Sequence, residues 1–240
     1  MAGAKRAGPQ EADSLAALDA DVVACRACPR LVAWREEVGH VRRAAFRDDD
    51  YWARPVPSFG DPAARVMVVG LAPAAHGANR TGRMFTGDRS GDFLFAAMHR
   101  TGFASQATST RIGDGLTLTD IRTTAPVHCA PPANKPTPDE RRRCAPFLAR
   151  ELELVQPVVA VVLGGFGWQA LLTTLRELGW SVPRPLPSFG HGVELVVGRD
   201  GRTLTLLGCF HVSQQNTFTG RLTPAMLDAV LLRARALSEA

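Results

Sequence analysis

The stretch that decides the fold is VQPVVAVVLGGFGWQALLTTL, residues 155–175. It contains no charged residue and is long enough to resemble a membrane span. However, Pro157 and a glycine-rich turn at 164–167 divide it into a β-branched half and a half that favours a helix. We therefore interpret the stretch as a buried strand, a tight turn and a helix.

Strands and helices also alternate on both sides of this unit. Apolar runs predict further strands at 65–70 and 116–125. Two short arms, 193–197 and 203–207, flank an Asp-Gly pair that is typical of a hairpin. Further helices are predicted at 12–24, 31–37, 92–101, 139–155 and 224–237. Such alternation indicates a parallel sheet that is covered by helices on both faces.

The two most unusual segments, 70–91 and 211–223, each follow directly after a predicted strand. The carboxyl ends of parallel strands meet at one rim of the sheet, and ligands bind beyond that rim. Both segments are therefore predicted to lie at the same rim.

The composition is that of an ordinary globular protein, with 45% hydrophobic and 21% charged residues among 240. It excludes a disordered, collagenous or coiled-coil protein, and the length favours one large domain or two small ones. Residues 1–14 are polar and rich in Ala and Gly, without the apolar stretch of a signal peptide. We therefore expect a disordered tail at 1–14 and an intracellular protein. Residues 15–240 are expected to form a single domain.

The net charge is +5, from 28 basic and 23 acidic residues, and Lys5 and Lys135 are the only lysines. Arginine forks match the geometry of phosphate, so this charge is compatible with a nucleic-acid partner. A genome that favours arginine codons explains the same count, and both explanations stay open. The string Gly77-x4-Gly82 begins like a P-loop but lacks the Lys and Ser/Thr that follow in one, which excludes a nucleoside-triphosphate site there.

The five cysteines of the chain are Cys25, Cys28, Cys129, Cys144 and Cys209. A Cys-x2-Cys pair in an intracellular protein indicates a metal or redox site more often than a disulfide. Four thiolates hold either zinc or an iron–sulfur cluster, and the second pair is too widely spaced for a simple zinc ribbon. Scattered core cysteines are the ordinary alternative. Cys209 lies within a predicted strand, and we interpret it as a core residue.

Two strings of sequence carry the chemistry. The first is GLAPAAHGANRTGRMFTGD, residues 70–88, and the second is HVSQQNTFTGRLTP, residues 211–224. Together with the cysteine spacing, they resemble the uracil-DNA glycosylase superfamily, and the match is closest to family 5, whose members contain an iron–sulfur cluster. The resemblance extends from about Cys25 to the last helix, so it covers nearly the whole chain.

The resemblance implies a three-layer α/β/α sandwich with a central, mostly parallel, four-stranded sheet. It also implies a 4Fe–4S cluster held by Cys25, Cys28, Cys129 and Cys144. The implied activity is removal of uracil from DNA by hydrolysis of the N-glycosidic bond, and similar enzymes also accept hypoxanthine and ethenocytosine. We expect a monomer that acts on damaged, mainly double-stranded DNA in the cytoplasm, in association with the nucleoid and not with a membrane.

The sequence departs from the superfamily at the position that usually directs the attacking water. Many members have Asp or Asn where Ala74 stands, and family 4 has Asn where Ala125 stands. Asp88 is our candidate for steering water or stabilising the sugar cation, and Asn134 is a second candidate. The alternative for Asp88 is a helix N-cap, although Ser90 could serve as that cap instead. The alternative for Asn134 is a turn-forming role.

The remaining candidates follow from what base removal requires. The base must be flipped into a pocket, and negative charge then develops on the leaving uracil. His211 is the candidate donor to uracil O2, with an ordinary capping or core histidine as the alternative. Phe85 is expected to stack on the base, and the backbone at Gly70, Ala72 and Ala74 is expected to approach it because small residues allow close contact.

The polar segment 214–223 has the composition of a loop that enters the duplex. Its candidate wedges are Gln215, Asn216 and Phe218. Four arginines flank the two strings and are candidates for phosphate contacts: Arg80, Arg83, Arg89 and Arg221. For each arginine, simple solvation is the alternative.

Two other classes of protein remain open. One is an inactive DNA-binding module with the same fold, and the other is a zinc or redox protein in which Cys25 and Cys144 carry the function. Strand cleavage is not expected, because the motifs contain no lysine that could form a Schiff base, and Lys135 is only a weak exception. The expected product is an abasic site.

Overall fold

The computed structural model describes residues 13–240. The predicted tail lies outside these residues except for Asp13 and Ser14. The hydroxyl of Ser14 accepts a hydrogen bond from the N–H of Ala17 (3.2 Å) and so caps the first helix. None of the helices in the described range is both long and apolar enough to cross a membrane.

Within the described residues, helices and strands alternate along the chain. The α-helices are α1 Leu15–Ala24, α2 Pro29–Val41, α3 Ala78–Thr81, α4 Arg89–Arg100, α5 Pro138–Val155, α6 Gly165–Glu177, α7 Gln214–Phe218 and α8 Pro224–Ser238. The strands are β1 Phe59–Gly60, β2 Val66–Val69, β3 Ile121–Thr124, β4 Val159–Leu163, β5 Glu194–Arg199 and β6 Arg202–Cys209. Two short 3-10 turns lie at Ala44–Phe46 and Pro132–Asn134.

The strands form one sheet in the order β1-β3-β2-β4-β6-β5. The four central strands, β3, β2, β4 and β6, are parallel, and Val66 of β2 lies opposite Ile121 on one side and Val159 on the other. β1 and β5 each add an antiparallel edge. The prediction of a four-stranded sheet is therefore corrected to six strands, and the parallel centre is confirmed.

The two additional strands differ in how visible they are in the sequence. β5 is the first arm of the predicted hairpin, and its pairing with β6 confirms that hairpin. β1 contains only two residues, Phe59 and Gly60. Two residues are too few for the alternation of side chains that identifies a strand.

Side-chain alternation along β2 divides the core into two layers. Val66 and Val68 pack in the cluster that contains α4 and α8, whereas Met67 and Val69 pack in the cluster that contains α5 and α6. Successive strand residues point to opposite faces, so both faces of the sheet are buried. This arrangement confirms the predicted α/β/α sandwich.

The stretch 155–175 forms β4, a turn at Gly164 and α6, as predicted. Gly164 has a φ of 89°, a conformation that glycine adopts without strain. Its N–H donates to the carbonyl of Cys209 (2.8 Å), and a Cβ at Gly164 would lie 3.2 Å from the Cβ of His211. The turn after β4 therefore lies against the segment that follows β6.

Candidate active site

A pocket of about 430 Å³ lies at the carboxyl-terminal rim of the parallel strands. The loop after β2 supplies most of its wall, and the segment after β6 supplies His211, Ser213 and Gln215. Asn134 enters from the loop between β3 and α5. The rim predicted from 70–91 and 211–223 is thus where the structure places the pocket, which brings Asp88, Asn134 and His211 together.

His211 lies two residues beyond β6 and is partly buried in the pocket wall. Its carbonyl accepts a hydrogen bond from Nδ2 of Asn216 (2.8 Å), which fixes the backbone at this point. Burial lowers the pKa of the His211 imidazole to about 4. At neutral pH the ring is therefore uncharged, and one of its nitrogens carries a hydrogen that it can donate to an acceptor in the pocket.

Asp88 is the N-cap of α4, because its Oδ1 accepts a hydrogen bond from the N–H of Gly91 (3.0 Å). The possibility that Ser90 caps this helix and leaves Asp88 free is therefore excluded. Ser90 lies inside the first turn and lines the pocket instead. The N-cap alternative thus holds for Asp88, although the same carboxyl group also lines the pocket.

The surroundings of Asp88 act on its charge in opposite directions. Burial raises the pKa of the Asp88 carboxyl group, and hydrogen bonds from the backbone at Gly91 and Ser90 oppose that rise. A Cβ at Gly77 would lie 2.1 Å from Oδ2, so the carboxyl group occupies space that only glycine leaves open. Among the described residues that line the pocket, Asp88 is the sole carboxylate.

Asn134 lies at the exposed edge of the pocket in the left-handed conformation, with a φ of 54°. Its neighbour Ala133 has a φ of 53° and also lines the pocket. Asparagine adopts this conformation more readily than most residues, so Asn134 forms the turn and faces the pocket at once.

The base-binding candidates lie on one wall. Ala72, Ala74 and Phe85 line the pocket, whereas Gly70 lies behind the ring of Phe85. A Cβ at Gly70 would lie 2.6 Å from Cζ of Phe85, so glycine at this position allows the ring to pack closely. Ala125 also lines the pocket, where it contributes no polar group.

Two of the predicted phosphate contacts are corrected. Arg83 is buried, 5% exposed, and its guanidinium pairs with Asp114 (2.6 Å) and donates to Ser109 (2.8 Å). Arg80 pairs with Asp49 (2.6 Å), donates to the carbonyls of two loop residues and lies 4.0 Å from the centre of a phenylalanine ring. Because their donors already bind residues of the chain, both arginines stabilise the loop after β2.

The other two arginines and the segment after His211 remain at the surface. Arg89 and Arg221 are exposed, and their guanidinium groups lie 5.7 Å from the ring of Phe218 and 4.6 Å from that of Phe210, respectively. No carboxylate in residues 13–240 pairs with either arginine. Gln215 lines the pocket, whereas Asn216 does not, since its amide donates to the carbonyl of His211.

Met84 and Ser213 also line the pocket, although neither was among the predicted site residues. Ser213 lies two residues after His211, and Met84 directly precedes Phe85. Their proximity to the named candidates was the only signal, because neither residue type indicates base binding by itself.

A second cavity is lined by four of the cysteines, Cys25, Cys28, Cys129 and Cys144. They come from the end of α1, the N-cap of α2, the loop after β3 and the middle of α5. Cys209 is fully buried in the sheet core, which confirms its interpretation as a core residue.

The four thiols around this cavity are the type of ligand that zinc or an iron–sulfur cluster requires. In the described part of the chain, no group of three or more His, Cys, Asp or Glu side chains is arranged to hold one metal ion. Two hydrogen-bond donors reach the sulfur atoms that line the cavity. Nη1 of Arg35 donates to Sγ of Cys129 (2.9 Å), and the N–H of His128 donates to Sγ of Cys144 (3.4 Å).

Comparison with known proteins gives a consistent result. The family model of the uracil DNA glycosylase superfamily matches residues 57–235. A type-5 uracil-DNA glycosylase of Mycobacterium tuberculosis is 54% identical over 229 residues, which cover 95% of this chain and 83% of that protein. The type-5 enzyme of Mycobacterium leprae is 54% identical, covering 95% and 97%, and that of Thermus thermophilus is 50% identical, covering 90% and 95%.

Proposed function

Since this chain belongs to the uracil-DNA glycosylase superfamily, we propose that its rim pocket receives a uracil flipped out of DNA and that the protein hydrolyses the N-glycosidic bond. The observation that carries the proposal is the convergence of His211, Asp88 and Asn134 on one pocket. The product is an abasic site, and the reaction is the first step in repair of deaminated cytosine.

The uncharged His211 is the donor to the leaving base. Negative charge develops on the uracil oxygen as the glycosidic bond breaks, and a fixed donor stabilises it in the transition state. A neutral imidazole donates this hydrogen bond without a positive charge of its own. Such a charge would stabilise the bound substrate as well as the transition state. Phe85 stacks against the base and holds it in line with that donor.

Asp88 acts on the sugar side of the bond. Its Oδ1 caps α4 and its Oδ2 lies against Gly77, so the carboxyl group is held in place, and we propose that it orients water or faces the cationic sugar. Asn134 supplies an amide at the pocket edge that assists in positioning the water. The positions that carry water-directing side chains in related families, Ala74 and Ala125, lack polar groups here, so Asp88 and Asn134 take over the task.

We further propose that the pocket accepts other altered bases, among them hypoxanthine and ethenocytosine. Ala72, Ala74 and Ala125 line the pocket with methyl groups only. Short apolar side chains leave space for a larger ring and impose no hydrogen-bond pattern that would reject it. The protein is proposed to act as a monomer on double-stranded DNA.

Cys25, Cys28, Cys129 and Cys144 are proposed to hold a 4Fe–4S cluster. When bound, the cluster supplies a rigid link between segments that are more than 100 residues apart in the sequence. Arg35 and His128 orient hydrogen bonds toward the cysteine sulfurs, which suits thiolate ligands.

The test is an end-labelled duplex with one deoxyuridine, incubated with the protein and then treated with alkali. We expect cleavage at that position only after alkali, and none in a matched duplex with thymidine. Cleavage before alkali would contradict hydrolysis without strand scission. An intact strand under excess of the iron-loaded protein would overturn the uracil activity and favour the inactive DNA-binding module.

A further inference from the structure

Arg35 lies inside α2 with 1% of its surface exposed, yet it has no close carboxylate partner. Its nearest carboxylate oxygen, on Glu36, is 3.9 Å away and belongs to a half-exposed side chain. The guanidinium instead donates to Sγ of Cys129 (2.9 Å) and to the carbonyl of Cys25 (3.2 Å). Its Nε has no partner among the described residues.

A buried cation of this kind needs a compensating negative charge. The cysteine cavity is where that charge arises, because metal-bound cysteines are thiolates. This role of Arg35 depends on the proposed cluster. When the cysteines hold an iron–sulfur group, the hydrogen bond from Arg35 to Cys129 joins opposite charges and becomes strong.

The main chain of Arg35 is linked to the base pocket on its other side. Its carbonyl accepts a hydrogen bond from Nδ2 of Asn79 (3.3 Å), and the same amide donates to the carbonyl of Ala75 (3.4 Å). Asn79 is completely buried, and its N–H donates to the carbonyl of Ala74 (3.1 Å). Ala74 lines the pocket that is proposed to receive the base.

We propose that Arg35 is a positioning residue that couples the cysteine cavity to the base pocket. Its guanidinium stabilises the thiolate of Cys129, and its main chain holds Asn79, which fixes the pocket loop. Through this link, occupancy of the cysteine cavity sets the position of Ala74. Sequence reasoning gave no indication of the coupling, because Arg35, Asn79 and Cys129 lie in three separate segments.

The spectroscopic test uses loaded protein and the variants Arg35→Met and Arg35→Lys. Resonance Raman bands of the iron–cysteine stretches should shift to higher frequency in Arg35→Met, because loss of a hydrogen bond at sulfur strengthens the iron–sulfur bond. Loss of visible absorbance in excess chelator should be about 10- to 100-fold faster. Arg35→Lys, which keeps the positive charge and a shorter-reaching donor group, should lie between Arg35→Met and the unchanged protein.

Arg26→Met is the matched control, because Arg26 also lies near the cysteines but is exposed and pairs with Glu36. Its bands and its rate of absorbance loss should equal those of the unchanged protein. If Arg35→Met does not fold, Arg35→Lys decides: a shifted band supports the proposal and an unshifted band overturns it.

The link to the pocket is tested with Asn79→Ala. This variant should keep the iron–cysteine bands unchanged but lower kcat/KM on the uracil duplex. The double variant Arg35→Met/Asn79→Ala should be as active as the less active of the two single variants, since both changes break one path. Losses that multiply would overturn the coupling.

The failures of the two proposals are distinguishable. Unchanged protein that binds no iron or sulfide would overturn the cluster and, with it, the role of Arg35. Unchanged protein that carries the cluster, together with an Arg35→Met variant whose bands do not move, would overturn the role of Arg35 alone.

Discussion

The side chain of Asp88 has one observed role, as the N-cap of α4 through Oδ1, and one proposed role, as the carboxylate that acts in the pocket. Asp88→Asn separates them. Asparagine caps a helix as well as aspartate does, so the free energy of unfolding should change by less than about 0.5 kcal/mol. The rate of uracil release in single-turnover experiments should fall by about 10²- to 10⁴-fold.

The matched variant is Asp88→Ala, which removes both the cap and the carboxylate. It should lose the same activity as Asp88→Asn and, in addition, about 1 kcal/mol of stability in denaturant unfolding. Full activity of Asp88→Asn would show that Asp88 is only a cap and would move the water-directing role to Asn134.

The protonation of the His211 imidazole makes the stability of the protein depend on pH. Its folded pKa of about 4 lies below the ordinary value of 6.5 for histidine, so the folded protein binds a proton less readily than the unfolded chain. The stability that His211 contributes is complete above about pH 6.5 and is lost as the pH falls toward 4. NMR titration of the imidazole C–H, assigned with His211→Asn, should give a midpoint near 4; a midpoint near 6.5 would contradict a neutral donor.

Sequence motifs predicted which side chains reach the pocket better than they predicted which arginines reach DNA. Asp88 and His211 lie inside two contiguous strings that follow strands, so local sequence was sufficient to place them at one rim. Arg83 is different, because its partner Asp114 lies 31 residues away in the sequence. An arginine whose carboxylate is supplied by a distant loop cannot be told from a solvated arginine by local pattern.

Among the elements, α7 directly follows the segment of His211, and we propose that it supplies the wedge that enters the duplex. Gln215 faces the pocket and Asn216 is tied to the backbone, whereas Phe218 is 68% exposed. An aromatic ring that enters the stack replaces the base that has been flipped out. Phe218→Ala should therefore reduce kcat/KM on duplex uracil by about tenfold, given about 1–3 kcal/mol for each base stacked on an aromatic ring.

The same variant should be much less affected on single-stranded uracil, where no gap in a base stack has to be filled. Leu232→Ala, at an equally apolar exposed position on α8 (53% exposed), is the control and should leave both substrates unaffected. Equal losses on duplex and single strand would assign Phe218 to folding or general binding.

Strands were predictable where their hydrophobic pattern was strong. β2 and β4 are fully buried parallel strands, so they stand out as short apolar runs that end in glycine. β3 contains Arg122, Thr123 and Thr124, and its predicted range of 116–125 shortened to Ile121–Thr124. Its polar side chains contact distant partners, such as Glu151 on α5 for Nε of Arg122 (2.6 Å), and no local pattern records such partners.

At the scale of the whole molecule, one cavity brings two cysteines beside the first two helices together with two cysteines from the centre of the chain. Cys25 and Cys28 lie more than 100 residues from Cys129 in the sequence, yet all three line one cavity. The resemblance to a known family predicted this set of four, whereas spacing alone left zinc, a cluster and scattered core cysteines open. The three-dimensional structure adds the cavity that the four cysteines share and the hydrogen bonds to the sulfurs of Cys129 and Cys144.

The net charge of +5 is also a property of the whole molecule, and its effect depends on which arginines face the DNA. Arg89 and Arg221 are exposed beside the pocket segments, whereas Arg202 lies at the opposite end of β6 from His211. Each phosphate contact contributes about 0.9 to the slope of log Kd against log salt concentration. Arg89→Gln/Arg221→Gln should therefore lower that slope by about 1.8, measured by fluorescence anisotropy on an undamaged duplex.

Arg202→Gln removes one charge from the same total and provides the control. If the rim alone contacts the duplex, this variant should leave the slope unchanged, because a charge at the far end of the sheet releases no counterion from the bound DNA. A decrease in slope for Arg202→Gln equal to that of each rim arginine would mean that binding depends on net charge rather than on position. The rim would then no longer be the DNA-binding surface, and the pocket would need another route to the flipped base.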